Sequence, residues 1–242
     1  MSADAGAVAA RAASVDIRWT AVSPLAGLLP RNEADAVAAN EVAARDVAAC
    51  EGLLQWVIVH PLQLQTFEQA TEFLKQPRCV GIKIHPEEHG YPIREFGTQL
   101  FEFAAQHDAV VLAHSGDPLS LPADFIGPAD AFPNVKLILA HLGNGGGAAG
   151  DPTLQVAAIQ KSRKGNVFVD TSSARSITPG LVEWAVSEIG AERILFGSDT
   201  PLYSVAMQRA RIDSAEIDDL DKRRILWQNA SDLLGIEEIE QC

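Results

Sequence analysis

The chain has 242 residues, 47% hydrophobic and 21% charged, which is enough to bury the core of one large domain or two small ones. Lys and Arg number 19 against 32 Asp and Glu, a net charge of −13, so no basic footprint exists for nucleic acid or an anionic membrane. No apolar run reaches the roughly 18 residues of a spanning helix, and the start "MSADAGAVAARAAS" has no basic-then-apolar leader; the sequence reads as a soluble, cytoplasmic protein.

Taken in chain order, short β-rich apolar runs alternate with helix-like segments. Residues 3–13 read as the end of a helix leading into the first run, "VDIRWTAVSP" (15–24). An amphipathic stretch, "EADAVAANEVAARDVAAC", leads to "LLQWVIVHP" (53–61). "LQTFEQATEFLKQ" leads to "CVGIKIHP" (79–86), and "EFGTQLFEFAAQH" to "AVVLAHSG" (109–116) and "VKLILAHLG" (135–143). "TLQVAAIQKSR" precedes "NVFVDTSS" (166–173), and "TPGLVEWAVSEIG", with a Thr-Pro start and a glycine end, precedes "RILFGSDTP" (193–201). The last helix is "DKRRILWQNASDLLG". The runs are continuously apolar, as in strands covered on both faces, and strand–helix alternation predicts a parallel sheet. One α/β domain, 1–242, follows. Seven strands are visible, where a closed (β/α)8 TIM barrel has eight.

Polar residues terminate these runs. His85, His114, His141 and Asp199 each close an apolar run and open a loop. In a parallel barrel such positions converge on one mouth, where imidazoles and a carboxylate can hold a divalent metal and activate water. Each also has a plain structural reading: a hydrogen-bonded histidine, or an Asx-turn at Asp199. Lys83 lies two residues before His85 and shares its face. It is either a salt-bridged interior lysine, a carbamate bearing two metals, or the partner of Asp199 or a substrate carboxylate. Asp170 can orient a histidine or bond structurally. His60 is a further strand-end candidate, while His89 and His107 read as surface. "GNGGG" (143–147) lacks the lysine and hydroxyl of a P-loop and reads as a mobile loop beside His141. Cys50, Cys79 and Cys242 are too scattered for a disulfide framework or a thiolate zinc site.

In order along the chain, "GIKIHPEEHGYPI", "VLAHSG", "NVKLILAHLG", "ERILFGSDTP" and "RRILWQNASDLLGI" resemble the amidohydrolase-related family of metal-dependent hydrolases and decarboxylases. The resemblance implies a (β/α)8 barrel binding zinc or manganese, zinc being the first expectation. It implies His114 and Asp199 as metal ligands and His141 as proton shuttle or second-metal ligand, with Asp199 also a base. His85 is a compensating ligand, and Lys83 and His85 are the substrate-binding pair. The family's HxH pair is absent from this sequence, and its first strand is expected upstream of Met1. An open seam is therefore expected between "VDIRWTAV" and "RILFGSD", with sheet edges that allow a homodimer.

The leading functional expectation is a hydrolase whose metal-bound water attacks an amide, ester or lactone carbonyl of a small molecule. The alternative is a nonoxidative decarboxylase of an aromatic or unsaturated acid. A barrel that has lost turnover and serves as a binding module is the second alternative.

Overall fold

A computed structural model of the chain describes residues 4–146 and 150–236; Gly147 and Cys242 lie outside the described residues. Seven strands run in parallel and in sequence order: β1 (Thr20–Val22), β2 (Leu53–Ile58), β3 (Cys79–Ile84), β4 (Val111–His114), β5 (Leu137–Ala140), β6 (Val167–Asp170) and β7 (Ile194–Leu195). Helices α1 (Ala5–Ala13), α2 (Ala36–Ala49), α3 (Gln65–Phe73), α4 (Pro86–His89), α5 (Ile93–Gln106), α6 (Ile126–Ala131), α7 (Leu154–Lys161), α8 (Leu181–Ile189), α9 (Val205–Asp213), α10 (Asp219–Arg223) and α11 (Asn229–Leu234) fill the connections. Every helix-like segment of the sequence falls on one of these. Helix α9 carries no apolar stripe that announces it. The Thr-Pro start of α8 shifts inward: Gly180, at φ 79°, is its N-cap and Leu181 its first residue.

The strand pleat divides the apolar residues into two cores. Outward residues such as Val57, Ile82, Val111, Leu139 and Val169 pack with Leu100, Phe101 and Ile159 of the helices. Inward residues Leu54, Trp56, Val80, Val110, Ile138 and Leu195 pack with Ile236, Leu233 and Leu234 at the end of the chain. Near the C-terminal ends of the strands the inward positions turn polar: Leu112 is followed two residues on by His114, and Phe168 by Asp170. The interior is thus apolar below and ionisable above.

The ring is not closed by strand pairing. Among the described residues β1 pairs with β2 alone and β7 with β6 alone, so the expected seam between them is open. Helical groups stand in for strand partners on β2 beyond the end of the short β1, and along the outer edge of β7. Asn40 of α2 holds Ile58 like a neighbouring peptide: its Oδ1 accepts from Ile58 N at 2.8 Å and its Nδ2 donates to Ile58 O at 2.9 Å. On the other side Phe196 N donates to Ile225 O at 2.8 Å, from a π-helical turn (Arg224–Gln228) between α10 and α11. Asn229 Nδ2 ties the same helix to Ile194 O at 2.7 Å. That docking ends β7 after two residues, where the apolar run alone suggests a longer strand. Among the described residues no helix is long and apolar enough to cross a membrane.

Candidate active site

Lys83, His85, His114, His141, Asp170 and Asp199 line one cavity of about 880 Å³ at the C-terminal ends of the strands. The strand-end positions singled out in the sequence are therefore brought together. The pleat supplies Lys83 and His85 from β3 and its end, His114 from β4 and Asp170 from β6. His141 and Asp199 just follow β5 and β7, both in the left-handed region at φ 79° and 52°. Non-glycine residues with positive φ are uncommon, and such strain concentrates at functional sites.

Each histidine is fixed by a partner that sets its tautomer. His85 caps α4: its Nδ1 accepts from Glu88 N at 3.2 Å, which places the ring proton on Nε2. His114 Nε2 donates to Asp117 Oδ2 at 2.6 Å, leaving Nδ1 as a buried lone pair without a partner. For His141 the chain is longer. Its backbone N donates to Asp170 Oδ1 at 3.0 Å, and its Nδ1 lies 2.9 Å from Ser172 Oγ. Ser172 gives its own hydroxyl proton to Asp170 Oδ1, so its oxygen accepts from His141 Nδ1–H and Nε2 is the bare nitrogen. Gly197 makes this possible, because a Cβ there would lie 2.8 Å from that of Ser172 and 3.0 Å from Asp170 Cγ.

The rings lie in a row, His85 stacked on His114 and His114 edge-on to His141. Centroids lie 4.0 Å apart between His85 and His114 and 4.8 Å between His114 and His141. Burial, then neighbouring positive charge, pushes His85 far down and His141 to about 4. Burial also lowers His114, against the pull of Asp117. Burial lowers Lys83, while Asp170 and Asp199 oppose that shift. Asp199 moves the other way: burial raises it, although His141 and Lys83 favour its charged form. The carboxyl of Asp199 accepts no hydrogen bond from a described residue. The site thus gathers imidazoles that burial shifts toward the neutral form, a buried amine and a carboxyl that burial shifts toward its protonated form.

The expected metal set of His114, His141, His85 and Asp199 does not form as these side chains stand. Among the described residues, no group of three or more His, Cys, Asp or Glu could hold a metal ion. His85 Nδ1 is taken by Glu88 N–H, while His114 Nδ1 and His141 Nε2 keep open lone pairs that belong to no group of three donors as the side chains stand.

His89 is a correction. It is buried, not on the surface, because the four-residue helix α4 turns back over the barrel at Gly90. Its ring stacks on His60 at 4.3 Å and its Nε2 bonds Gly27 O at 2.8 Å. His107 sits at the end of α5, 3.3 Å from Thr71 Oγ1 and away from the cavity. Sequence reasoning missed Asp117, Ser172 and Glu88, which set the tautomers. Their only signal is spacing, two or three residues after His114, Asp170 and His85.

The sequence pattern of the family described as amidohydrolase matches residues 20–236. The chain belongs to the amidohydrolase family. Members of this family are enzymes. The chain is 30% identical over 119 residues to gamma-resorcylate decarboxylase of Polaromonas sp., a match covering 44% of this chain and 36% of that relative. The matched part is thus about a third of the relative's length. Among solved structures, 2,6-dihydroxybenzoate decarboxylase from Rhizobium superposes with a TM-score of 0.72 at 18% identity, over 94% of this chain and 87% of that one. A dihydroxybenzoic acid decarboxylase from Polaromonas sp., with bound manganese and the inhibitor 2-nitroresorcinol, gives 0.73 at 18% identity over 96% and 86%. The 5-carboxyvanillate decarboxylase from Sphingomonas paucimobilis gives 0.71 at 16% identity over 95% and 82%. At such identities the likeness establishes the fold, a TIM barrel.

Proposed function

We propose that the chain is the catalytic barrel of a nonoxidative decarboxylase acting on a small hydroxylated aromatic acid. We favour the decarboxylase alternative over the hydrolytic reading because the curated relative and several of the fold neighbours are decarboxylases. The observation that carries it is that Lys83 and Asp199 line one cavity: a buried amine that can hold a carboxylate, beside a carboxyl that burial shifts toward its protonated form.

The reaction replaces carbon dioxide by a proton. The substrate carboxylate pairs with the Lys83 ammonium, and His85 Nε2–H donates to a ring hydroxyl oxygen. Asp199 delivers its proton to the ring carbon bearing the carboxylate. The carbon–carbon bond then breaks, its electrons restore the aromatic ring, and neutral carbon dioxide leaves. The apolar wall of Leu112, Ile138 and Leu195 favours that step, because charge is lost from the carboxylate and a neutral product needs no solvation. His141 Nε2, bare and within the field of Asp199, returns a proton to the Asp199 carboxylate from water.

Manganese in the Polaromonas structure makes a divalent ion, manganese before zinc, the supplement to add in assays. No step here is routed through it, since the described donors do not gather around one point. The test is a panel of hydroxybenzoates, aryl esters and lactones, read by carbon dioxide release and by product mass, with and without Mn²⁺. Carbon dioxide from a hydroxybenzoate supports decarboxylation; ester or lactone cleavage alone refutes it.

A further inference from the structure

The ladder between β4 and β5 ends at the pair His114 and Ala140, and above it the chain parts into two loops. Strand pairing therefore stops just where His114 and His141 need a fixed relation, edge-on at 4.8 Å. Two amide side chains take over from the ladder. Gln155, fully buried on α7, accepts from Gly143 N at 3.3 Å through Oε1. Its Nε2 donates to Asn144 O at 2.9 Å and to Ser115 Oγ at 3.2 Å. Asn144 Nδ2 donates to Ser115 O at 2.8 Å and to Asp117 Oδ2 at 3.3 Å, the oxygen that also accepts from His114 Nε2. These bonds join the residue after His114, and its carboxylate partner, to the second and third residues after His141.

The start of the "GNGGG" stretch acquires a purpose in this clamp. An amide nitrogen carries two protons, and the one at position 144 spends them on both groups of the β4 loop. Gly116 lets the loops meet, since a Cβ there would lie 2.2 Å from Asn144 O. His141 stands at φ 79°, a conformation that persists only where the surroundings over-determine it. Its backbone is held on both sides: His141 N donates to Asp170 Oδ1 at 3.0 Å, and His141 O accepts from Asn144 N at 2.8 Å. Gln155 grips the far end of that turn. All three of its bonds go to the two histidine loops, so it ties the loops to each other rather than to the helices.

We propose that Gln155 and Asn144 are positioning residues that hold the His141 ring where its Nε2 returns a proton to Asp199. The inference rests on the decarboxylase reading, in which that return is the duty of His141. Asp199 begins the first turnover protonated. Loosening the clamp therefore spares the first turnover and slows each later one, a split that a general loss of structure does not produce.

The test compares wild type with Gln155→Met and Asn144→Ala on 2,6-dihydroxybenzoate with Mn²⁺, by rapid quench with enzyme in excess and at steady state. The expected result is an unchanged single-turnover rate and KM, with kcat down at least about tenfold. Equal falls in the single-turnover and steady-state rates, or an unchanged kcat in both variants, overturn the proposal. Asn144 is only half-buried, so Asn144→Ala decides the matter should Gln155→Met fail to fold. Nitrogen-15 spectra before Mn²⁺ is added need no turnover. In Asn144→Ala the His114 Nε2–H should exchange faster with water and the His141 ring signals should shift or broaden. If wild type releases no carbon dioxide, the decarboxylase reading falls and the spectra decide alone: ring signals unchanged in a folded Asn144→Ala overturn the clamp, and altered ones uphold it.

Discussion

The imidazole of His85 lies flat against that of His114, with centroids 4.0 Å apart and planes 11° from parallel. Two buried cations at this spacing would repel strongly, so the stack holds neutral rings. The neutrality extends along the row through His89 to His60, whose pKa burial and then the neighbouring His89 push down to about 4.

Acid sensitivity follows from that row. His60 titrates near 6.5 in the unfolded chain and about 4 when folded. Above 6.5 the ring is neutral in both states and stability is fully present. As pH falls from 6.5 toward 4 the unfolded chain takes up the proton first, and stability is lost. Its share is of order 1–3 kcal/mol after allowance for screening. Thermal melts between pH 7.5 and 4.5 check this: Tm falls in wild type, and the fall is shallower in His60→Asn, which keeps an acceptor for Leu62 N–H.

Ser172→Ala tests the tautomer of His141. Without the hydroxyl, Asp170 loses a donor and Nδ1–H loses its acceptor. The expected outcome is an on-the-order-of 10²-fold drop in kcat from a misplaced ring. Nitrogen-15 spectra should show a mixture of His141 tautomers where wild type shows Nδ1–H alone. Unchanged spectra would make Ser172 a bystander.

Lys83→Met removes the carboxylate anchor. Truncating one partner of a buried charge pair costs about 2–5 kcal/mol, so kcat/KM should fall at least about thirtyfold, mostly through KM. The Asp199 carboxyl, no longer facing the ammonium, should titrate higher still. A KM unaffected by the change would remove Lys83 from the substrate's path.

Asn40→Ala tests the hinge between α2 and β2. It leaves the Ile58 N–H and C=O buried and unpaired, a loss of about 2–4 kcal/mol. Urea unfolding should show a lower midpoint with an unchanged slope.

The parallel barrel is legible in the sequence because both faces of each strand are covered, so "VKLILA" and "VFVD" read as unbroken apolar runs. The seam is legible as a missing strand. The ends of elements are not. "RILFGSD" suggests a full strand, yet Phe196 spends its N–H on the helix carbonyl of Ile225, a contact spanning distant segments. Helix α9 escapes notice because its buried apolar residues, Val205 and Ile212, are seven apart, while Met207 faces out and Arg211 is anchored on Ser176 O and Glu183. For the site, strand-end position identifies His85, His114, His141 and Asp199, while ring orientation depends on Glu88, Asp117 and Ser172. Those are common residue types at loop spacings, so nothing in the sequence sets them apart. The metal set is illegible at that level: His114 Nδ1 and His141 Nε2 keep open lone pairs, while His85 Nδ1 is engaged by Glu88 N–H, so orientation rather than residue type decides which nitrogens can reach an ion.

The most direct measurement is the fate of the solvent proton. Wild type and Asp199→Asn are each incubated with 2,6-dihydroxybenzoate in D₂O with Mn²⁺, and the products are read by mass spectrometry and NMR. The prediction is one deuterium at the carbon that lost its carboxylate, one carbon dioxide per product, and no turnover above background in the variant. Full turnover by Asp199→Asn, or no decarboxylated product from wild type, would contradict proton delivery by Asp199.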